Sequence, residues 1–329
     1  MRTISTVLAT AEFNEAQYAE IRAAAGPSAR FIFASRKDGA AIDEALQTAE
    51  VAILAGDLDE RHIKAPKLKW VHCDHAGLNK SARPEVFARG LLVTSSAGRS
   101  APALAEHCFF FMLSHTYHVR DVLDAQARHH WGVPSLLEGR ALYGKTLGIF
   151  GMGHTGRELA IRGKAFGMRV LAYRRKVADI PQGIDRMYCR DAGDSTDAVF
   201  RESDYIALCL SLTDQTYHLI GTREIDMMKP GAVVINMARG DVIDEEALLS
   251  AVRSGKLGMA GLDTTAKEPL PADSPLWDAP NVIITPHATP RVPDKSERSI
   301  RVICENMRRF QSEEPLVNLL TADEVFTKY

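Results

Sequence analysis

Cysteine is scarce in this chain, and its five copies (Cys73, Cys108, Cys189, Cys209 and Cys304) are odd in number and form no CxxC pair. That spacing excludes a disulfide framework and a zinc ribbon, and fits the reduced thiols of a cytosolic protein. Long apolar runs are missing as well. The most apolar stretch, CFFFML at 108–113, falls far short of a bilayer span, and the apolar run in the N-terminal MRTISTVLATAEFNE is too short for a signal peptide. Neither sign of charge prevails: 40 Lys and Arg stand against 42 Asp and Glu, a net charge of −2. Nucleic-acid binding needs a clustered basic surface, which this balance does not supply. Low-complexity tracts and short-period repeats are absent too. These absences lead us to expect a cytoplasmic protein without nucleic-acid or membrane partners.

What is present is an alternation of short β-rich and longer amphipathic segments. At 329 residues, 46% of them hydrophobic, the chain is long enough for two cores. ISTVLAT (4–10), ARFIFA (29–34), VAILA (51–55), KWVHC (69–73) and LLVTS (91–95) read as buried strands, with helical stretches such as EAQYAEIRAAA between them. Strands separated by helix-length segments predict βαβ units and a parallel sheet. From Pro102 to about His130 the pattern becomes one long helix-like run. A second series follows: TLGIFG (146–151), RVLAYR (169–174), YIALCLS (205–211), AVVINMA (232–238), GMAGLD (258–263) and NVIITP (281–286). Six such strands make a complete doubly wound sheet. The helical tail KSERSIRVICENMRRF brings no strand of its own and is expected to pack back on the first domain. The predicted fold class is α/β, two doubly wound parallel-sheet domains. A Rossmann nucleotide-binding domain over 99–291 is inserted into a flavodoxin-like substrate-binding domain made of 1–98 and 292–329.

In TLGIFGMGHTGRELA, Gly151, Met152, Gly153, His154, Thr155 and Gly156 form a GxGxxG that follows an apolar strand and opens a helix. That context gives the motif its mechanism: a tight turn, a bare backbone facing the pyrophosphate, and a helix N-terminus with free N–H groups and partial positive charge. The next strand ends at Tyr173, about where an acidic residue often grips the adenosine ribose, yet Arg174, Arg175 and Lys176 stand there instead. Guanidinium forks suit a phosphate dianion. The cofactor expected is therefore NADP(H), with NAD(H) as the second candidate; a solvated cationic turn is the plainer alternative.

The segment VVINMARGDVIDEEALLSAVRSGKLGMAGLDTTAKEPLPADSPLWDAPNVIITPHAT (233–289) closely resembles the signature region of the D-isomer-specific 2-hydroxyacid dehydrogenases. GKTLGIFGMGHTG, SLTDQTYHLIG and DHAGLN match further blocks of that family, so the resemblance spans nearly the whole chain. It implies a glyoxylate/hydroxypyruvate reductase-like enzyme that moves hydride reversibly between NADPH and a short 2-oxoacid, giving the (R)-2-hydroxyacid. It also implies a homodimer formed through the nucleotide-binding domain, where Phe109, Phe110, Phe111 and Met112 lie in the long helical run.

The residues themselves suit this chemistry. Arg239 lies just past AVVINMA, at the carboxyl edge where such sheets bind ligands, and its neighbour Gly240 is expected to leave room for one. A guanidinium there binds a carboxylate and polarises the adjacent carbonyl. His287 follows the last strand and titrates in the range needed to protonate the developing oxyanion, and Glu268 would hold its imidazole in one tautomer. The resemblance assigns the same catalytic roles to Arg239, Glu268 and His287. It also puts the backbone amides of Ala76 and Gly77 on the substrate carboxylate, Ser211 and Ala238 beside the cofactor, and Asp263 near the nicotinamide; Asp263 capping a turn is the alternative. His75 and Arg291 flank the expected pocket. No carboxylate or cysteine cluster completes a metal site around the other histidines. Two other readings use the same fold: a dinucleotide-sensing binding protein, and phosphite- or formate-type oxidation, formate being disfavoured because those enzymes have Gln where Glu268 stands.

Overall fold

Parallel strands cannot be joined by tight turns, so each needs a long crossover, and both halves of the chain are built from such units. The computed structural model describes residues 2–138, 141–288 and 292–328. The chain divides into two compact units, Met1–Arg99 with Arg291–Tyr329, and Ser100–Pro290. No helix among the described residues is long and apolar enough to cross a membrane.

The first unit holds strands β1 (Thr6–Ala9), β2 (Arg30–Phe33), β3 (Val51–Leu54), β4 (Trp70–Cys73) and β5 (Leu92–Ser95). They pair in parallel in the order β2-β1-β3-β4-β5. Strands β3 and β4 are buried along their whole length, as a sheet covered on both faces requires. Alternate residues serve opposite faces: Val51 and Ile53 join a core with Val7, Tyr18, Trp70, Ile300, Ile303, Met307 and Phe310, whereas Ala52 and Leu54 join another with Leu8, Ile42 and Val71. The helical tail, Lys295–Ser312, thus covers one face of this sheet.

The second unit holds β6 (Thr146–Phe150), β7 (Arg169–Arg174), β8 (Arg186–Cys189), β9 (Tyr205–Leu208), β10 (Ala232–Asn236), β11 (Leu257–Leu262) and β12 (Val282–Ile284). All pair in parallel, in the order β12-β11-β10-β9-β6-β7-β8. The sheet therefore has seven strands and not six. The additional one, β8, is a four-residue edge strand reading RMYC, too short and too polar at its start to stand out by pattern. Strand order reverses between β6 and β9, the switch point at which doubly wound sheets bind ligands.

The long helical run is also two helices, Ala101–Thr116 and Val119–Ala127. Thr116 Oγ1 donates back to the Met112 carbonyl at 2.8 Å, and His118 takes a left-handed φ of 46°, which ends the first helix. The first helix lies on the sheet through Cys108, Phe111 and Met112, which share a core with Leu147, Ile149, Val233 and Ile235. A Cβ at Gly261 would sit 2.6 Å from the Phe111 ring, so only glycine lets that helix settle on β11.

One polar chain runs through the first core. Trp70 Nε1 donates to Thr94 Oγ1 at 2.9 Å, His72 Nδ1 lies 3.0 Å from the same hydroxyl, and His72 Nε2 lies 2.9 Å from Ser96 Oγ. Ser96 donates onward to Asp74 at 2.7 Å, and Arg99 closes the chain on Asp74, also at 2.7 Å. Every donor finds an acceptor only if His72 is neutral, with its proton on Nε2. Burial pushes its pKa down to about 4, with Asp74 opposing. An unfolded histidine titrates near 6.5, so this stabilisation is complete above about pH 6.5 and is lost as pH falls towards 4, a difference on the order of 3 kcal/mol. Thermal unfolding followed from pH 7 to 4 should show that loss, and His72→Gln, which cannot titrate, should show a shallower decline relative to its own stability at pH 7.

Candidate active site

The switch point is where the glycine motif falls. Gly151 has a φ of 99°, and a Cβ on it would meet the Cys209 carbonyl oxygen at 2.6 Å. At Gly156 a Cβ would lie 2.1 Å from the Gly151 carbonyl oxygen, so any side chain would push the helix off the turn. At Gly153 nothing stands within 4 Å. The helix His154–Ala165 begins there with no side-chain cap, and a helix N-terminus offers the N–H groups and partial positive charge that suit a pyrophosphate. Met152 is buried, whereas His154 is exposed and Thr155 half-buried. A cradle closed to side chains on two sides and open on the third fits a dinucleotide.

At the end of β7, Arg174 is half-buried and its Nη1 donates to the Asp179 carbonyl at 3.0 Å. Its Nε is buried without a hydrogen-bond partner among the described residues. The Arg175 carbonyl accepts from Asp191 N at 3.0 Å and Cys189 Sγ at 3.1 Å, which ties the turn to β8. A third cation, Arg190, stands one residue past β8, with Nε and Nη2 at 3.1 and 3.0 Å from Asp191 Oδ1 and Nη1 on Gln215. The short edge strand before it carries no clear pattern in the sequence, and so Arg190 carries none either. On the other side, the Ser211 carbonyl accepts from Thr216 Oγ1 at 2.7 Å, and Ala238 N donates to Asn236 Oδ1 at 3.0 Å.

Arg239, Glu268 and His287 follow β10, β11 and β12, three neighbouring strands, so the sheet brings them to one edge. Asn236, 1% exposed, ends β10, and its Nδ2 donates to the Arg239 carbonyl at 2.8 Å. This buried amide shapes the loop that carries Arg239; its only mark in the sequence is one polar residue closing an apolar strand. Arg239 Nη1 in turn donates to the Ala238 carbonyl at 2.7 Å. Gly240 does not make room for a ligand, contrary to expectation. A Cβ there would lie 1.9 Å from the Thr265 carbonyl carbon, so the space is taken by the backbone leading to Glu268.

Thr265 N donates to Glu268 Oε1 at 3.2 Å, and Glu268 Oε2 lies 2.8 Å from His287 Nδ1. Both side chains of that pair are 38% exposed. His287 takes a left-handed φ of 49°, a conformation rare outside glycine, and its N–H is shared between the carbonyls of Asp263 and Thr285, each at 2.9 Å. Asp263 is 2% exposed, and its Oδ1 accepts from Thr285 Oγ1 at 2.6 Å and Ala288 N at 3.2 Å. The carboxyl of Asp241, beside Arg239, is pushed up by burial; His218 opposes that and Glu268 adds to it. Among the described residues no cluster of three His, Cys, Asp or Glu could hold a metal.

In the first unit, Ala76 is exposed and Gly77 half-buried in the loop that follows β4. His75, in the same loop, places Nε2 3.7 Å from Asp57 Oδ1. Arg291 lies outside the described residues.

Strand order and cradle together define a dinucleotide-binding domain. Residues 109–289 match the family model of the D-isomer specific 2-hydroxyacid dehydrogenase, NAD binding domain. A glyoxylate reductase from Korarchaeum cryptofilum is 32% identical over 284 residues, which cover 84% of this chain and 83% of that protein. Among solved structures, a D-isomer specific 2-hydroxyacid dehydrogenase family protein from Aeromonas salmonicida superposes with a TM-score of 0.79 at 31% identity, over 97% of this chain and 99% of that one. An NADPH-dependent glyoxylate/hydroxypyruvate reductase from Sinorhizobium meliloti, in complex with NADP and sulfate, superposes with 0.78 at 25% identity, over 97% and 98%. The chain belongs to the D-isomer specific 2-hydroxyacid dehydrogenase family, whose cofactor is a nicotinamide dinucleotide.

Proposed function

We propose that this protein reduces a short 2-oxoacid, of the size of glyoxylate or hydroxypyruvate, to the (R)-2-hydroxyacid with NADPH. The observation that carries the reading is the 2.8 Å contact of His287 Nδ1 with Glu268 Oε2, which leaves Nε2 for a substrate oxygen. The names of the similar reductases support the substrate class. Bound NADPH supplies hydride to the carbonyl carbon. Arg239 holds the carboxylate and polarises the carbonyl beside it. As charge builds on the oxygen, His287 gives it the Nε2 proton, while Glu268 holds the ring by Nδ1. Arg174 and Arg175 would hold a 2′-phosphate, Gly151–Gly156 the pyrophosphate, and Ser211, Ala238 and Asp263 would line the rest of the cofactor. In the first unit, taken by itself, the amides of Ala76 and Gly77 suit a carboxylate.

His287→Ala should lower kcat by roughly 10²–10⁴-fold and leave dinucleotide affinity unchanged. Arg239→Ala should raise KM and lower kcat together, because the same guanidinium binds the ground state and the developing charge. Steady-state kinetics on a panel of 2-oxoacids (glyoxylate, hydroxypyruvate, pyruvate, phenylpyruvate), with a fluorescence titration of the cofactor, check both. No turnover on any of the four would overturn the substrate class.

For the cofactor, kcat/KM with NADPH should exceed that with NADH by about 10²-fold, because each charge-assisted contact is worth about 1.5–3 kcal/mol. Arg174→Asp should raise activity with NADH by accepting from the ribose and repelling the phosphate. Equal efficiency with both cofactors in the unmutated enzyme returns the arginines to a solvated turn.

We also propose that the second unit pairs with a second copy of itself. Of the residues expected at such an interface, Phe109, Phe111 and Met112 are instead buried in the core of the unit, where they cover the sheet. Phe110, with Tyr117, Leu123 and Trp131, stand 48, 54, 57 and 101% exposed, an apolar set that a monomer would leave in water. Light scattering at micromolar concentration should give twice the 36.2 kDa of one chain; a value near one chain refutes the pairing.

A further inference from the structure

We infer that His107 is a positioning residue for the His287–Glu268 pair, acting through Thr285 and Asp263. Asp263 takes hold of His287 twice. Its carbonyl accepts from His287 N at 2.9 Å, and its Oδ1 accepts from Ala288 N, the next residue, at 3.2 Å. Both peptide N–H groups that flank the His287 Cα therefore reach one buried residue, the first sharing its proton with the Thr285 carbonyl, and this grip holds a histidine in the left-handed region.

The directions of the remaining hydrogen bonds follow from which groups own protons. An ionised carboxylate only accepts, so Thr285 must donate its hydroxyl proton across the 2.6 Å to Asp263 Oδ1. The Thr285 oxygen then has only lone pairs to offer His107 Nε2, 3.2 Å away, so the proton of that contact belongs to the ring. His107 is thereby the Nε2–H tautomer, and the chain runs one way, His107 to Thr285 to Asp263. The ring is nine-tenths buried and stacked on Phe111, with centroids 4.9 Å apart and planes 16° apart. Its Nδ1 is buried without a hydrogen-bond partner among the described residues and lies 4.0 Å from Asp263 Oδ1. Burial pushes the His107 pKa down against the pull of Asp263, so the neutral ring that the chain needs is the one present at neutral pH.

Without this donor the Thr285 hydroxyl is free to turn away, and Asp263 Oδ1 loses its shortest contact. The grip on Ala288 loosens with it, and His287 leaves the geometry that faces Glu268. The helix Ala101–Thr116, which carries His107, thus takes part in the reaction without touching substrate.

Two variants separate this role from mere packing. His107→Leu fills the space and removes the donor, whereas His107→Gln puts an amide N–H close to the position of Nε2. With a 2-oxoacid, kcat of the Leu variant should fall about tenfold with KM for the cofactor unchanged, and the Gln variant should recover to within about threefold, since small misplacements of reacting groups are costly. This arm rests on the proposed activity. A second arm does not: nitrogen NMR of the His287 imidazole, without substrate, should report the Nδ1–H tautomer in the unmutated protein and in His107→Gln, and a mixture in His107→Leu. If no form turns over a 2-oxoacid, the activity reading fails and the tautomer comparison alone decides the role of His107. An unchanged tautomer in the Leu variant overturns the inference. So does a Gln variant as impaired as Leu at an unchanged melting temperature.

Discussion

Parallel pairing sends the carboxyl end of every strand to the same edge of its sheet, and everything functional in the second unit depends on that. Arg239, Glu268 and His287 are far apart in sequence and reach one edge because each follows a strand by a few residues, and Arg174 ends another strand at the same edge. The same constraint explains what the strands cannot carry. Buried on both faces, β6, β9 and β10 are nearly all apolar, so polar chemistry is confined to the residues just beyond them. Asn236 marks that boundary: it is the last residue of β10, and both ends of its amide are spent on the loop that holds Arg239.

Most of this architecture is legible in the sequence because buried parallel strands are short apolar runs between helix-length segments. All five strands of the first unit and six of the seven in the second announce themselves in this way. The seventh, RMYC, lies at an edge, needs only one apolar face, and so lacks the signal; Arg190 was lost with it. The single helix read from Pro102 onward fails for a different reason. Its residues all favour a helix, and the break comes from the left-handed turn at His118, which amphipathic pattern does not encode. At the candidate site, residue types and spacing point to Arg239, Glu268 and His287, which the sheet brings to one edge. The packing of Gly240 against Thr265 and the grip of Asp263 on the His287 backbone are tertiary facts, with no local trace.

Two buried histidines show how alike ingredients serve different ends. His72 has a hydroxyl at each ring nitrogen, and the chain it completes ties Trp70 to Arg99 within one core. His107 has a hydroxyl at one nitrogen only, with a carboxylate 4.0 Å from the other. Two partners fix the first ring from both sides, whereas one nitrogen of the second has no hydrogen bond among the described residues. The first serves the core of the first unit, and the second lies behind the strand ends of the second unit.

The division of the chain also sets an order of events during synthesis. The second unit is contiguous, Ser100–Pro290, and holds all its own strands before the chain goes on. The first is not: Val7, Tyr18 and Trp70 share their core with Ile300, Ile303, Met307 and Phe310. As the chain leaves the ribosome, one face of the first sheet stays bare while an entire later unit is made and folds. Val7, Tyr18 and Trp70 thus wait for the helix Lys295–Ser312, made after the whole second unit, before their side of the sheet is covered.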